Sequence, residues 1–351
     1  MSVLVDYVFD DKGQRTNIRP MDSELVTVKQ AGNITEVTYT SCRSKGGTTR
    51  KISKDEYVDT RDGQIKEFIH QERRSDDLKS VSRSMKQGRD VINANVTNPV
   101  EWRWITLTYA QNVTDPKKVY HDFKNFLRKL KLIYGFNRYI NCVEPQRRGA
   151  WHVHLLLGFP TEAPFIPNEV LARTWGHGFV KVKKLDNVDN VGAYLTAYLA
   201  DIPLEEVTSA EVGRACTVKE IDTFDENGKP VKKRVLKGAR LSMYPSGMHI
   251  FRWSRSCKKP SVKHCTAKTA ERIVEGQTLT YESTKHITDT ATGFESLINY
   301  RAYNSGRKET NEVQRVYHRV ARKPKAAYQG FDLRKRIRIH VSANSAILLR
   351  C

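Results

Sequence analysis

The 351-residue chain has no apolar run of about 18 residues, the length that a membrane-crossing helix needs. Its opening stretch, Met1-Ser-Val-Leu-Val-Asp-Tyr7, carries neither the basic nor the apolar region of a secretory leader, so no signal peptide is expected. The six cysteines (Cys42, Cys142, Cys216, Cys257, Cys265 and Cys351) include no CxxC pair. That spacing argues against a disulfide framework or a zinc site and for reduced thiols in a cytosolic protein. A GxxxxGK[ST] loop is also lacking, so no Walker-type ATPase is evident. Acidic residues are few beside the basic ones: 39 Asp and Glu against 60 Lys and Arg, a net charge of +21. Such a field favours a polyanionic partner and fast, salt-sensitive association. Nucleic acid fits, though the balance alone also suits ribosomal or membrane-surface proteins.

What is present centres on Glu144-Pro-Gln-Arg-Arg-Gly-Ala-Trp-His152-Val-His154-Leu-Leu-Leu-Gly158. Bulky apolar residues from Ala150 to Leu157, ended by Gly158 and Pro160, predict a strand. Side chains alternate along a strand, so His152 and His154 share one side, about 7 Å apart. Glu144 closes the preceding apolar run, and Arg147, Arg148 and Gly149 supply a turn. Two antiparallel strands then bring the carboxylate beside the imidazoles. Two histidines and one carboxylate on a rigid sheet suit a catalytic divalent cation with open positions better than a structural one.

Downstream, residues 186–203 read as a helix, capped by Asp or Asn at its start and ended by Pro203. Tyr194 and Tyr198 stand at i and i+4, on one face. Val191, Leu195 and Leu199 form an apolar stripe beside them, which leaves the tyrosines at its edge. A phenol is a poor nucleophile until a cation or base assists it, and a metal that polarises a phosphate gives that assistance. Upstream, Trp102-Arg-Trp-Ile-Thr106-Leu-Thr108-Tyr109 alternates as a strand of the same sheet.

Thr106-Leu-Thr108-Tyr109, then Glu144 with His152-Val-His154, then Tyr194-x-x-x-Tyr198 resemble, in order and spacing, the three motifs of the HUH endonuclease superfamily. Within it, the chain resembles the rolling-circle replication initiators (Rep proteins) of small bacterial plasmids and single-stranded DNA phages. The motifs cover roughly residues 104–200. The resemblance implies that Glu144, His152 and His154 ligate Mg²⁺ or Mn²⁺. It implies that Tyr198 or Tyr194 attacks a phosphodiester, leaving a 5′-phosphotyrosine and a free 3′-OH primer, the second tyrosine resolving the nicked strand. Members of the family usually carry a lysine three residues after the tyrosine. Ala197 and Asp201 stand there in this chain, so another basic residue must serve. Some relatives keep only the second tyrosine as nucleophile, which favours Tyr198. The implied partners are single-stranded DNA at a replication origin and a host helicase and DNA polymerase in the bacterial cytoplasm, with no membrane.

Elsewhere, residues 1–60 read as short strands with turns at 10–13, 30–33 and 44–47, and about 63–92 as mostly charged helix. Thr114-Asp115-Pro116 opens a helix with its apolar stripe at Val119, Phe123, Phe126, Leu127, Leu130 and Ile133, closed by Gly135. A shorter helix over 168–174 and a strand over 179–182 follow. The order β-α-β-β-α-β-α gives an α+β fold: a ferredoxin-like HUH endonuclease domain with a central antiparallel sheet, helices packed on it, and N- and C-terminal extensions. The expected divisions are an N-terminal extension over 1–95, the endonuclease core over 96–204, a β-rich extension over 205–304 and a loosely ordered basic tail over 305–351. A further strand of the core sheet is expected from the first hundred residues. Tyr244-Pro-Ser-Gly247 reads as a type I turn joining two strands into a basic hairpin. In that hairpin Arg240, Arg252, Trp253, Arg255, Lys258 and Lys259, with Tyr244 and Phe251, would grip phosphates and stack bases. Arg147 and Arg148, next to the histidines, are the other candidate DNA contacts. A related HUH transposase or relaxase, or a non-catalytic single-strand-binding module, is the alternative. Dependence on divalent ions separates enzyme from binding module.

Overall fold

The computed structural model describes residues 3–43, 48–70, 77–146, 148–185, 191–192, 202–203, 218–224, 230–236, 239–245, 247–290 and 293–306. Arg147, Tyr194, Tyr198 and residues 307–351 of the basic tail lie outside the described residues. In chain order, β1 (Val3–Tyr7), β2 (Leu25–Ala31) and β3 (Ile34–Thr40) precede three short strands, β4 (Thr49–Lys51), β5 (Glu56–Asp59) and β6 (Ile65–Glu67). Then come α1 (Leu78–Asn95), β7 (Trp102–Thr108), α2 (Pro116–Tyr134), β8 (Arg138–Pro145), β9 (Trp151–Gly158), α3 (Asn168–Trp175) and β10 (Val180–Lys184). The strands β11 (Ile202–Pro203), β12 (Val218–Phe224) and β13 (Pro230–Leu236) precede a 3₁₀ turn over Ala239–Met243. Last are β14 (Phe251–Trp253), β15 (Ser261–Thr266), α4 (Ala267–Val274), β16 (Thr278–Asp289) and β17 (Phe294–Asn304). No helix among the described residues is long and apolar enough to cross a membrane.

The fold is α+β, with antiparallel sheets. One five-stranded sheet runs β10-β7-β9-β8-β14, and its first four strands with α2 and α3 make the β-α-β-β-α-β order of a ferredoxin-like domain. α2 begins where Asp115 accepts from the Lys117 N–H (2.9 Å) ahead of Pro116, and it ends at Gly135 in the left-handed conformation. Its buried stripe of Val119, Phe123, Phe126 and Leu130 lies against the sheet face that carries Ile105, Leu107, Val153 and Leu155. α1 covers the other face. A Cβ on Gly88 would fall 2.6 Å from the Phe251 ring, so only glycine lets α1 approach β14 this closely.

The fifth strand of this sheet is β14, which pairs with β8, and none comes from the N-terminal hundred residues. Those N-terminal strands instead join the C-terminal ones. A six-stranded sheet runs β1-β16-β17-β3-β2-β15, with Ile34 opposite Asn304 and Val3 opposite Asp289. α4 packs on one side of it through Ala267, Ala270 and Val274, over Val26, Val28, Val37 and Tyr39.

Three expectations need correction. The helix expected over about 63–92 begins only at Leu78, because Ile65–Glu67 pairs with β5. The Asp62-Gly63 pair that makes this hairpin turn, with Gly63 at φ +70, was the signal for it. At the end of the tyrosine segment, Ile202 and Pro203 pair with β13 as strand, although Val191 and Gly192 have helical backbone. The basic hairpin about Tyr244-Pro-Ser-Gly247 is not a hairpin. Its first arm is the 3₁₀ turn, in which Tyr244 N–H bonds to Leu241 O (3.2 Å), since that turn sends Leu241 and Tyr244 into the core together.

Candidate metal centre

The antiparallel register sets Glu144 of β8 directly opposite His152 of the middle strand β9, and Cys142 opposite His154. On the other side of β9, Thr108 stands opposite His152 and Thr106 opposite His154. All these side chains share one face of the sheet. Glu144, His152 and His154 each offer a ligand atom, and the three atoms lie within 4.8 Å of one another. Among the described residues this is the one such group of His, Cys, Asp and Glu.

The geometry is held from both sides. His154 Nε2 and Glu144 Oε2 are 2.9 Å apart, while the Thr106 hydroxyl meets His154 Nδ1 at 3.4 Å. The Thr108 hydroxyl meets His152 Nε2 at 2.9 Å. Hydroxyls beside ligand imidazoles fix ring orientation and tautomer. The sequence reading had these threonines only as motif letters, and the strand register opposite the histidines gives them this role. Behind them, Trp104 packs edge-on to His154 at 6.1 Å between ring centroids.

Burial holds both imidazoles neutral. The His154 pKa is lowered to about 4 by desolvation. The His152 pKa is also lowered to about 4, first by desolvation and then by the neighbouring His154 and Arg148. Neutral imidazole is the ligand form, so at neutral pH the pair needs no proton removed before it binds a cation. Two nitrogens and one carboxylate, preset on a rigid sheet, fit a divalent cation with coordination positions to spare.

Arg240 is a neighbour that sequence spacing could not reveal. It forms an ion pair with Glu144 Oε1, both side chains largely buried. The 3₁₀ turn that carries it is fixed by Tyr244, whose buried hydroxyl donates to Val143 O (2.8 Å) and whose ring packs on Trp151. Arg240 thus stands at the carboxylate rather than on an open strand face. Burial lowers its pKa.

The other expected DNA contacts are dispersed. Arg148 is exposed, but its guanidinium donates to the carbonyls of Tyr109 and Ala110, tying the β8–β9 turn to the end of β7. Arg252 lies over the Tyr120 ring of α2, 3.6 Å from its centroid, on the sheet face away from the histidines. Trp253 alternates to the histidine face and is half-buried. Phe251 and Tyr244, expected to stack bases, are buried in the core. Arg255, Lys258 and Lys259 are exposed, and the Lys258 backbone exchanges two hydrogen bonds with Asn95 at the end of α1 (2.9 and 2.8 Å).

On the histidine face, Gly192 N–H donates to Asn93 Oδ1 of α1 (2.9 Å). A Cβ there would lie 2.7 Å from Arg89 O. The beginning of the tyrosine segment is therefore pinned against α1, with Tyr194 and Tyr198 following outside the described residues.

Residues 102–202, the span from β7 to the first residue of β11, match the family model of replication-associated proteins of the ORF2 type. The match supports a Rep-like replication initiator. No curated protein and no solved structure gave a match to the chain.

Proposed function

We propose that the chain is a rolling-circle replication initiator that nicks single-stranded DNA at an origin in a metal-dependent reaction. The observation that carries this reading is the convergence of Glu144, His152 and His154 on the middle strand of the sheet. The family match over the same residues supports it. Mg²⁺ or Mn²⁺ held by these three side chains would supply the Lewis acid that polarises a phosphodiester.

The remaining roles belong to the chain itself. The phenol oxygen of Tyr198 attacks the phosphorus and gives up its proton, the P–O3′ bond breaks, and the departing 3′ oxygen takes a proton. A 5′-phosphotyrosine and a 3′-OH primer result. Tyr194 repeats the step to resolve the strand after one round. Gly192, held by Asn93 on the histidine face, supports the approach of this segment to the triad. Arg240 is suited to the position of the missing lysine, because a cation that recruits Glu144 leaves the guanidinium facing the bound phosphate. Residues 96–204 form the endonuclease core in this reading, with 1–95 and 205–304 as flanking extensions. Arg147, Arg148, Arg252, Trp253, Arg255, Lys258, Lys259 and the basic tail from 305 contact DNA. A host helicase and polymerase of the bacterial cytoplasm complete replication.

Incubating the full chain with labelled single strands that tile a cognate origin tests this. Mg²⁺ or Mn²⁺ should give a covalent adduct on a denaturing gel, mapped by mass spectrometry to Tyr198. Tyr198→Phe should remove it, and His154→Ala should abolish nicking while keeping most of the DNA affinity, which basic contacts supply. Binding that survives EDTA with no adduct under any divalent ion would make the chain a binding module. Wild-type nicking by both His152→Ala and His154→Ala would end the metal assignment.

A further inference from the structure

The six-stranded sheet has a second face, turned away from α4, and its chemistry differs from that of the packed side. Register sets Tyr7 of β1 beside Lys285 of β16, and Ser283 of β16 beside Tyr300 of β17. Tyr281 follows two residues from Ser283, so all of these side chains point the same way. Tyr7 and Tyr281 are 41% and 48% exposed, far above the burial of the sheet's inner face.

The cations are interleaved with the rings. The Arg15 guanidinium lies 3.7 Å from the Tyr7 centroid, and Lys285 Nζ lies 5.5 Å from it. Arg15 also donates to Ser283 Oγ (2.9 Å), which holds it between Tyr7 and Tyr281. The Tyr281 and Tyr300 rings sit 6.0 Å apart between centroids. Lys86, on α1, reaches the Tyr300 ring at 5.3 Å. The result is a continuous path, Lys285–Tyr7–Arg15–Tyr281–Tyr300–Lys86, across three adjacent strands and one helix. The carboxylates near it, Glu36 and Asp90, are already engaged by Lys29, and Glu36 also by Lys86. Arg15 and Lys285 make no ion pair among the described residues, so the exposed half of the path is cationic.

We infer that this face is a second nucleic-acid site, a stacking platform for two or three nucleotides of a single strand, separate from the histidine face of the five-stranded sheet. Neighbouring strands are about 4.8 Å apart and same-face residues about 7 Å apart along a strand, so Tyr7, Tyr281 and Tyr300 are spaced for successive splayed bases. Arg15 and Lys285 stand where the phosphates between those bases would run. A duplex offers no unstacked base to these rings. The platform stands on its own chemistry and does not depend on nicking by the other sheet. It would keep a single strand on the protein independently of the triad.

The test is made on the full chain in EDTA, where no cleavage intervenes. An oligodeoxynucleotide carrying 5-iododeoxyuridine is photocrosslinked and the adducts are mapped by mass spectrometry. Affinity for a labelled oligo-dT is followed by anisotropy across a salt series. Crosslinks should fall on Tyr7, Tyr281 or Tyr300. Tyr7→Ala with Tyr281→Ala should weaken binding by at least about tenfold, since base–aromatic stacking contributes roughly five- to 150-fold per base. Tyr7→Phe with Tyr281→Phe should bind like the parent, because the ring faces remain. Arg15→Gln with Lys285→Gln should reduce the salt slope by about 0.7 for each phosphate that is no longer neutralised. Crosslinks confined to other surfaces, with unchanged affinity in the double alanine variant, would overturn the platform. So would equal losses in the alanine and phenylalanine variants, which would point to hydroxyl contacts. Loss of nicking in Mn²⁺ without loss of these signals would strike only the function proposed for the other sheet.

Discussion

In the six-stranded sheet, the charges that turn inward meet partners of opposite sign. Arg301, 1% exposed, pairs with Glu271 of α4 and donates to the Tyr303 hydroxyl (3.1 Å). Glu282 accepts two bonds from Arg19 (2.9 and 2.7 Å) and one from Asn299 (3.2 Å). In the five-stranded sheet, one carboxylate and two neutral imidazoles converge with Arg240 as the cation paired to them. Both arrangements bury polar groups on a central strand next to a helix. The first is closed, because its charges satisfy one another. The second is rich in electron-pair donors and short of positive charge, which is the condition of a site awaiting a cation.

Breaking the closed set should give the larger response. Glu271→Ala leaves the Arg301 guanidinium buried without its carboxylate and should destabilise the fold by about 2 kcal/mol in urea unfolding. That is less than the roughly 3–5 kcal/mol of a wholly buried pair, because Glu271 is half-exposed and Glu282 lies nearby. Arg301→Met removes the buried charge itself and should cost less than Glu271→Ala. The reverse ranking would mean that packing, not charge, sets this sheet.

The open set should respond in its ligand rather than in its stability. Arg240→Gln removes the cation that competes for Glu144, so Mn²⁺ affinity, read by electron paramagnetic resonance, should rise about tenfold, in the range of a charge-assisted hydrogen bond. Nicking should fall in the same variant. A drop in Mn²⁺ affinity would show instead that Arg240 holds Glu144 in place for the metal.

The smallest effect is expected from pH. With both histidine pKa values lowered to about 4, the folded site stays deprotonated well below the usual imidazole range. Mn²⁺ affinity should change less than about twofold between pH 7 and 5.5, whereas ordinary imidazoles near 6.5 would lose about tenfold or more. Stability should move with opposite emphasis. As pH falls from about 6.5 to 4, the unfolded chain takes up protons that the folded histidines refuse, so the apoprotein weakens across that window.

The parts legible in the sequence were those set by short-range chemistry. Asp115-Pro116 and Gly135 marked the ends of α2, and alternation about His152 and His154 with a short turn back to Glu144 gave the β8–β9 pairing. The site's other half was not legible, because Arg240 meets Glu144 from 96 residues away through a 3₁₀ turn that looked like a strand. Arginines and aromatics of 240–260 formed one stripe only on paper. In space Arg252 and Trp253 leave opposite faces, and Tyr244 enters the core. The six-stranded sheet was hidden for the same reason, since nothing local in Ile34–Thr40 announces a partner at Ile298–Asn304.

That sheet has a consequence in time. Strands β2 and β3 leave the ribosome early, yet β17, their neighbour, is made more than 250 residues later. At about 5–20 residues per second the edge of β3 waits roughly 13–50 s for its partner. In that interval the ferredoxin-like unit from β7 to β10 is already complete and free to fold. The newborn protein therefore carries an open hairpin edge beside a finished domain, a template for the same hairpin on a neighbouring nascent chain. Expression at high polysome density should favour such cross-pairing, and slower initiation should relieve it.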